Sequence, residues 1–145
     1  VLIASLWYAQ AQWSYQRFIQ TARGLEVQFT DTAVEETPAA VRVRFTLVLT
    51  NTSDQVIPIE GVSCLLYAGR EFLGPCTILS TSPAVPARGE WRLTVTTDIT
   101  GHYQENYHRA RTEGIRVKGS LQMELPLGDG FVKVTRRFHQ VISRS

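Results

Sequence analysis

His102, His108 and His139 are the side chains with most scope for acid–base or metal chemistry in this 145-residue chain. A hydrolytic triad would need a nucleophile, a base and an orienting acid brought together. No Gly-x-Ser-x-Gly elbow is present to supply the nucleophile. His102 and His108 lie six residues apart, which is neither one helical turn nor a strand-alternate spacing suited to shared ligation. No His-Glu-x-x-His and no Cys-x-x-Cys pairing occurs. Solvent-facing or end-capping histidines are the expectation. Gly128-Asp129-Gly130 has no lysine and no helix to follow, so it reads as a hairpin and not as a phosphate loop. These residues predict no catalytic residue, no cofactor and no metal.

Cys64 and Cys76 flank a hairpin, and their chemistry depends on its register. With the tip centred on Arg70, residue 64 faces residue 76 and a disulfide can form. With a two-residue tip at Gly69-Arg70, residue 64 faces residue 75, and a bridge then needs a bulge. A one-residue slip moves every side chain to the other face. Bridged cysteines and buried free thiols are both open here. A bridge would place the domain in an oxidising, extracytoplasmic compartment. Glu35-Glu36 and Arg136-Arg137 read as solvated charge pairs, with docking as the alternative.

Bulk composition narrows the classes. Hydrophobic residues make up 43% and charged residues 19%, enough apolar surface for one packed domain. Net charge is +2, and the basic residues are spread along the chain, which argues against a nucleic-acid partner.

Residues 1–23 predict a helix that ends at Gly24, after Arg23. Leu2, Leu6, Ala9 and Trp13 share one face. Residues 1–9 carry no charge, residues 10–23 are mostly polar, and Trp7, Tyr8, Trp13 and Tyr15 sit around the crossover. Aromatic rings gather where hydrocarbon meets water. A membrane span needs about 20 apolar residues, so this pattern reads as the end of a transmembrane helix whose remainder precedes Val1. Leu2, Leu6, Trp7, Tyr8 and Trp13 are then the membrane- or partner-facing residues. A helix packed on its own domain and an interfacial helix are the alternatives.

From Leu25 the period becomes two. Leu25, Val27 and Phe29 alternate with polar residues. The clearest strand puts Val41, Val43, Phe45, Leu47 and Leu49 on one face. Asn51-Thr52-Ser53-Asp54 is turn chemistry. Ile57 and Ile59 change parity at Gly61, which predicts a bulge or bend. Strands from Phe72 to Leu79 and around Trp91, Leu93 and Val95 follow, separated by a rigid loop from Ser82 to Gly89. Tyr103, Tyr107 and Ala110 have helical spacing and predict a short helix closing one end. Ile115 to Leu125 alternates again, and Asp129-Gly130 predicts the last hairpin. The sum is an all-β, seven-stranded antiparallel β-sandwich over residues 25–145, behind an N-terminal helix.

The ordered set of Asn51-Thr52-Ser53, Ile57-Pro58-Ile59, Gly61-Val62, Ala68-Gly69-Arg70, the Pro-Ala-Arg-Gly loop at 86–89, Trp91-Arg92-Leu93-Thr94-Val95 and Val117-Lys118-Gly119-Ser120-Leu121 resembles the late-embryogenesis-abundant type 2 family, the water-stress and hypersensitive-response domain. It covers about four fifths of the chain, from Leu25 to Ile142. The family commonly carries Asn-Pro-Asn at the first turn, where this chain has Asn51-Thr52-Ser53. The resemblance implies a fibronectin-III-like sandwich with no catalytic residues, often tethered by one N-terminal helix.

These readings predict a membrane-tethered binding or structural module, an accessory subunit of a larger membrane assembly. Its expected partners are the membrane, through the helix, and other protein subunits, with no nucleic acid. The expected location is a single-pass anchor with the domain outside the bilayer; the sequence leaves the side open, and the extracytoplasmic side is favoured over the cytoplasmic one. A soluble stress-protective protein is the alternative. A small-ligand carrier ranks last, because large apolar residues in nearly every strand predict a filled interior.

Overall fold

The computed structural model describes residues 2–77 and 83–142. The chain opens with helix α1 (Leu2–Arg23), followed by strands β1 (Leu25–Glu36), β2 (Val41–Asn51), β3 (Ile57–Ala68), β4 (Glu71–Thr77), β5 (Ala84–Val85) and β6 (Glu90–Ile99). Helix α2 (His102–Ala110) and a 3-10 turn (Arg111–Glu113) lead to β7 (Ile115–Leu127) and β8 (Gly130–Ile142). One sheet has the order β1-β2-β6 and the other β4-β3-β7-β8, with β5 beside β3. Every pairing is antiparallel. The sandwich is as expected, with eight strands among the described residues where seven were predicted. The additional one is the two-residue β5, inside the loop read as rigid. The predicted end of β4 at Leu79, and Ser82, lie outside the described residues.

The alternation of β2 does what its period demands. Val41, Val43, Phe45, Leu47 and Leu49 are fully buried, while Arg42 and Arg44 are exposed. One half of the interior joins Phe45 to Cys64, Leu66, Tyr107 and Val117. The other joins Leu49 to Ile57, Ile59, Leu121 and Met123. Phe29 and Phe138 pack against both halves, their ring centroids 5.6 Å apart, and so link β1 to β8 across the sandwich. Each large apolar side chain buried this way contributes about 1.5–3 kcal/mol. Gly119 makes room for this link. It lies opposite Phe138 in the β7–β8 register, and a Cβ there would meet the Phe138 ring and come within 2.6 Å of the Ser63 carbonyl oxygen.

Asn51 binds three segments together. Its side chain is buried, at 1% exposure. Nδ2 donates to the carbonyls of Gln55 (2.6 Å) and Pro86 (3.1 Å), and Oδ1 accepts from the amide (3.0 Å) and hydroxyl (2.7 Å) of Ser53. The Asn51 amide donates to Gly89 O, and Arg88 N donates to Ser53 O. Thr52 takes hold of the end of α1, its amide (2.8 Å) and hydroxyl (2.9 Å) both donating to Gly24 O. A proline at position 52 could not supply that amide, which gives Thr52 a physical role where the resembled family commonly has proline.

The helix α1 touches the sandwich through its last turns. Phe18 and Ala22 pack on the half of the core containing Leu49 and Leu121. Leu6 and Trp13, two of the residues expected on one apolar face, are exposed, and of Leu2 only the backbone is described. No helix among the described residues is long and apolar enough to cross a membrane. The polar residues Gln10, Gln12, Gln16, Arg17 and Gln20 break the apolar run too early. This corrects the expected single-pass anchor, and with it the expected membrane location.

Three local details sharpen the strand reading. The register of β3 against β7 shifts between Ile59 and Gly61, at the predicted bulge. The last hairpin turns at Gly128-Asp129, one residue earlier than expected, because Leu127 pairs with Gly130. Gly128 takes φ 61°, a conformation that glycine adopts without a Cβ clash, as the first central position of a type II′ turn requires. The short closing helix is α2, with Tyr107 buried against the core.

Two substitutions test this packing. Asn51→Ala should lower the unfolding free energy by about 2–4 kcal/mol, because it strands several buried polar groups at once. Gly119→Ala should lower it by about 1–3 kcal/mol through overpacking against a backbone oxygen. Urea denaturation followed by tryptophan fluorescence measures both, and an unchanged midpoint for either would remove its assigned role.

Candidate functional site

The residues first considered for chemistry do not converge. His102 and His108 are exposed on α2, beside Tyr103 and Tyr107 with ring centroids 4.0 and 5.6 Å away. His139 is exposed on β8. Among the described residues no group of three or more His, Cys, Asp and Glu side chains is placed to hold a metal. Glu36 departs from the solvated reading. It accepts a 2.6 Å hydrogen bond from the Tyr107 hydroxyl and so ties α2 to β1.

The sulfurs of Cys64 and Cys76 are bonded, with Cα atoms 5.2 Å apart. The hairpin tip is the two-residue Gly69-Arg70, since Ala68 pairs with Glu71. That tip alone would oppose Cys64 to residue 75. A bulge corrects it: Tyr67 pairs with Phe72 and Leu66 with Gly74, so Leu73 is the extra residue and Cys64 comes opposite Cys76. Leu73 turns into the core, only 2% exposed. The bridge is therefore set by a bulge that carries its own hydrophobic contribution.

Two surfaces stand out on the rest of the domain. The first is α1. Ile3, Leu6, Trp7, Tyr8, Trp13 and Tyr15 are all exposed, Trp7 at 74%. The first charged residue of the chain is Arg17. Its guanidinium lies 5.0 Å from the centre of the Trp13 ring and 3.9 Å from the Asp54 carboxylate. A groove of about 480 Å³ runs between Trp7, Ala11 and Ser14 on the helix and Leu127 to Asp129 at the β7–β8 tip. Large apolar side chains exposed in this number around one helix are a candidate interaction surface.

The second is β8. Among the described residues it is an edge strand of thirteen residues, paired on one side only, with β7. Val132, Val134 and Phe138 are half-buried on its inner face, while Phe131 and Val141 are exposed at either end of its outer face. Arg136 and Arg137, read in the sequence as a charge pair, sit in the middle of the strand.

A carboxyl cluster lies beside this edge. Glu60 on β3 and Glu124 on β7 approach each other, and Lys133 on β8 reaches Glu60 at 3.7 Å. The hydrogen bond shared with Glu60 holds the Glu124 carboxyl above its ordinary range, the negative charge of Glu60 adds to this, and Lys133 opposes it.

No family model matches the chain, and no curated protein matches its sequence. Among solved structures, a Bordetella pertussis protein described as ApaA aligns with a TM-score of 0.51 at 11% identity, over 83% of this chain and 95% of that one. At that identity the likeness shows the fold alone. Similar structures also include a protein assigned to the late embryogenesis abundant class (TM-score 0.40, 15% identity, 97% and 86% of the two chains). Another is a protein of Arabidopsis thaliana (TM-score 0.41, 16% identity, 81% of each chain).

A carboxyl with a raised folded-state pKa stabilises the fold below its ordinary range, and that stabilisation is lost as pH rises through the raised value. Glu124→Gln removes the repulsion that then develops with Glu60. The stability of the variant relative to the parent should therefore increase as pH rises from below the ordinary glutamate range to neutrality. Urea midpoints across a pH series check this; a difference independent of pH would show the two carboxyls to be uncoupled.

Proposed function

We propose that the chain is a non-catalytic protective module of the late-embryogenesis-abundant type 2 kind, and that it acts by covering apolar surface that other proteins expose as they lose water. The observation that carries this reading is α1: six large apolar or aromatic residues exposed on one helix, with no charge before Arg17. The ordered motifs that resemble the family support it. They fall on coherent structural parts, the Asn51 turn, the Gly61 bulge and the β3–β4 hairpin among them.

Chemistry favours aromatic side chains for such a task. Tryptophan and tyrosine offer large apolar contact together with a polar group, so they bind varied surfaces without demanding one shape. The absence of charge on residues 2–16 means that client surfaces of either sign approach without repulsion. The sandwich supplies a rigid base that holds the helix by its C-terminal end. Contact with other protein chains is kept from the sequence reading; the membrane tether is not.

Drying a labile reporter enzyme with and without the chain tests the proposal. The chain should preserve several-fold more reporter activity than an equal mass of serum albumin. The triple variant Leu6→Ser, Trp7→Ser, Trp13→Ser should lose most of that protection while keeping the parent's melting temperature, since all three side chains are exposed. Protection no better than albumin, or equal protection by the variant, would remove α1 from this role.

A further inference from the structure

The edge of β8 has three properties that belong together. Among the described residues its outward backbone groups have no strand beside them, because the sheet path ends there. Its inner face is unfinished: Val132, Val134 and Phe138 remain half-buried, as do Val27 and Phe29 on β1 across the seam. Its charge is of one sign, with Lys133, Arg136 and Arg137 and no carboxylate between Gly130 and Ile142.

Arg136 and Arg137 are not explained by the strand's own neighbour. On β7, Arg136 lies opposite Leu121, Arg137 opposite Ser120, and His139 opposite Lys118. Among the described residues, Lys133 alone of the three cations has acidic partners: it lies opposite Glu124 and reaches Glu60 at 3.7 Å. Such cations also exclude one occupant. If two β8 strands paired antiparallel in a symmetric dimer, every ionic encounter between them would be repulsive, and directly opposed like charges destabilise a strand pair.

We propose that the free edge of β8 is a docking site for an extended acidic segment of another protein, which pairs with it as a further antiparallel or parallel strand. Main-chain hydrogen bonds to β8 supply binding, as in other strand-addition complexes. Apolar residues at alternate positions of the segment cover the seam at Val132, Val134 and Phe138. Carboxylates meet Arg136 at the seam and Lys133 and Arg137 on the outer face. Phe131 and Val141 give apolar contacts at the two ends. The site is separate from α1 and does not require the protective reading above.

The test uses the whole chain and two capped probe peptides of about nine residues, one alternating glutamate with valine and one alternating lysine with valine. Fluorescence anisotropy should show the acidic peptide binding at least about tenfold more tightly, with affinity falling as salt is raised. Hydrogen exchange should slow at amides of 131–141 and not on β6, the edge of the opposite sheet. The double variant Arg136→Glu, Arg137→Glu should reverse the peptide preference. If that variant does not fold, the salt dependence and the exchange map of the parent still decide the question. Equal affinity for the two peptides overturns the proposal, as does protection confined to α1 or β6. So does tighter binding of a single-stranded oligonucleotide without slowed β8 amides, which would make the edge a plain polyanion patch. Slowed β8 amides in concentrated chain alone would also overturn it, in favour of self-pairing.

Discussion

The side chain of Asn51 holds together the end of β2, the β2–β3 turn and the loop before β6. A carboxamide offers donors and acceptors on one small planar group. Here both ends are used: Nδ2 reaches the carbonyls of Gln55 and Pro86, and Oδ1 fixes Ser53. The adjoining Thr52 grips Gly24, and the Arg88 amide reaches Ser53 O. The end of α1, the β2–β3 turn and the loop before β6 are thereby fixed to one another. Buried and fully satisfied, such a network is stiff, because breaking any member leaves polar groups without water. The position of α1 on the sandwich follows from it.

Much of this architecture was legible because period-two patterns report burial directly. The alternation from Val41 to Leu49 marks the buried face of β2 residue by residue, and the parity change at Gly61 marks the shift of β3. Tyr103, Tyr107 and Ala110 mark the helix that closes the end. The errors have physical causes. Asp129-Gly130 matches a common hairpin dipeptide, but Gly128 occupies the position with positive φ and moves the turn back by one. A two-residue strand such as β5 is too short for any period to show. Turn type alone did not fix the cysteine register; the bulge at Leu73 did, and Gly74-Pro75 beside it was the signal available.

Helix α1 is the instructive failure. An apolar run followed by polar residues suits both the end of a membrane span and an exposed contact helix, since a one-dimensional pattern does not say what lies opposite a face. The contacts are made by Phe18 and Ala22 near the C-terminal end, while Leu6 and Trp13, which share a helical stripe, meet solvent. The edge strand β8 was equally hidden. Its residues read as one more alternating strand, and only the sheet order reveals that none of the described strands pairs with its far side.

The Cys64–Cys76 bridge has a consequence for how the larger sheet can come apart. It joins β3 to β4, the strand at one border of that sheet, so β4 cannot peel away while the bond is intact. The opposite border, β8, is held without a covalent tie, by hydrogen bonds to β7, the Lys133–Glu60 ion pair and the packing of Val134, Phe138 and Ile142. Any opening of this sheet is therefore one-sided. Strand exchange between molecules, if crowding or heat provokes it, will proceed through the C-terminal strand, and the covalent border will stay as the fixed template on which the displaced strand is replaced.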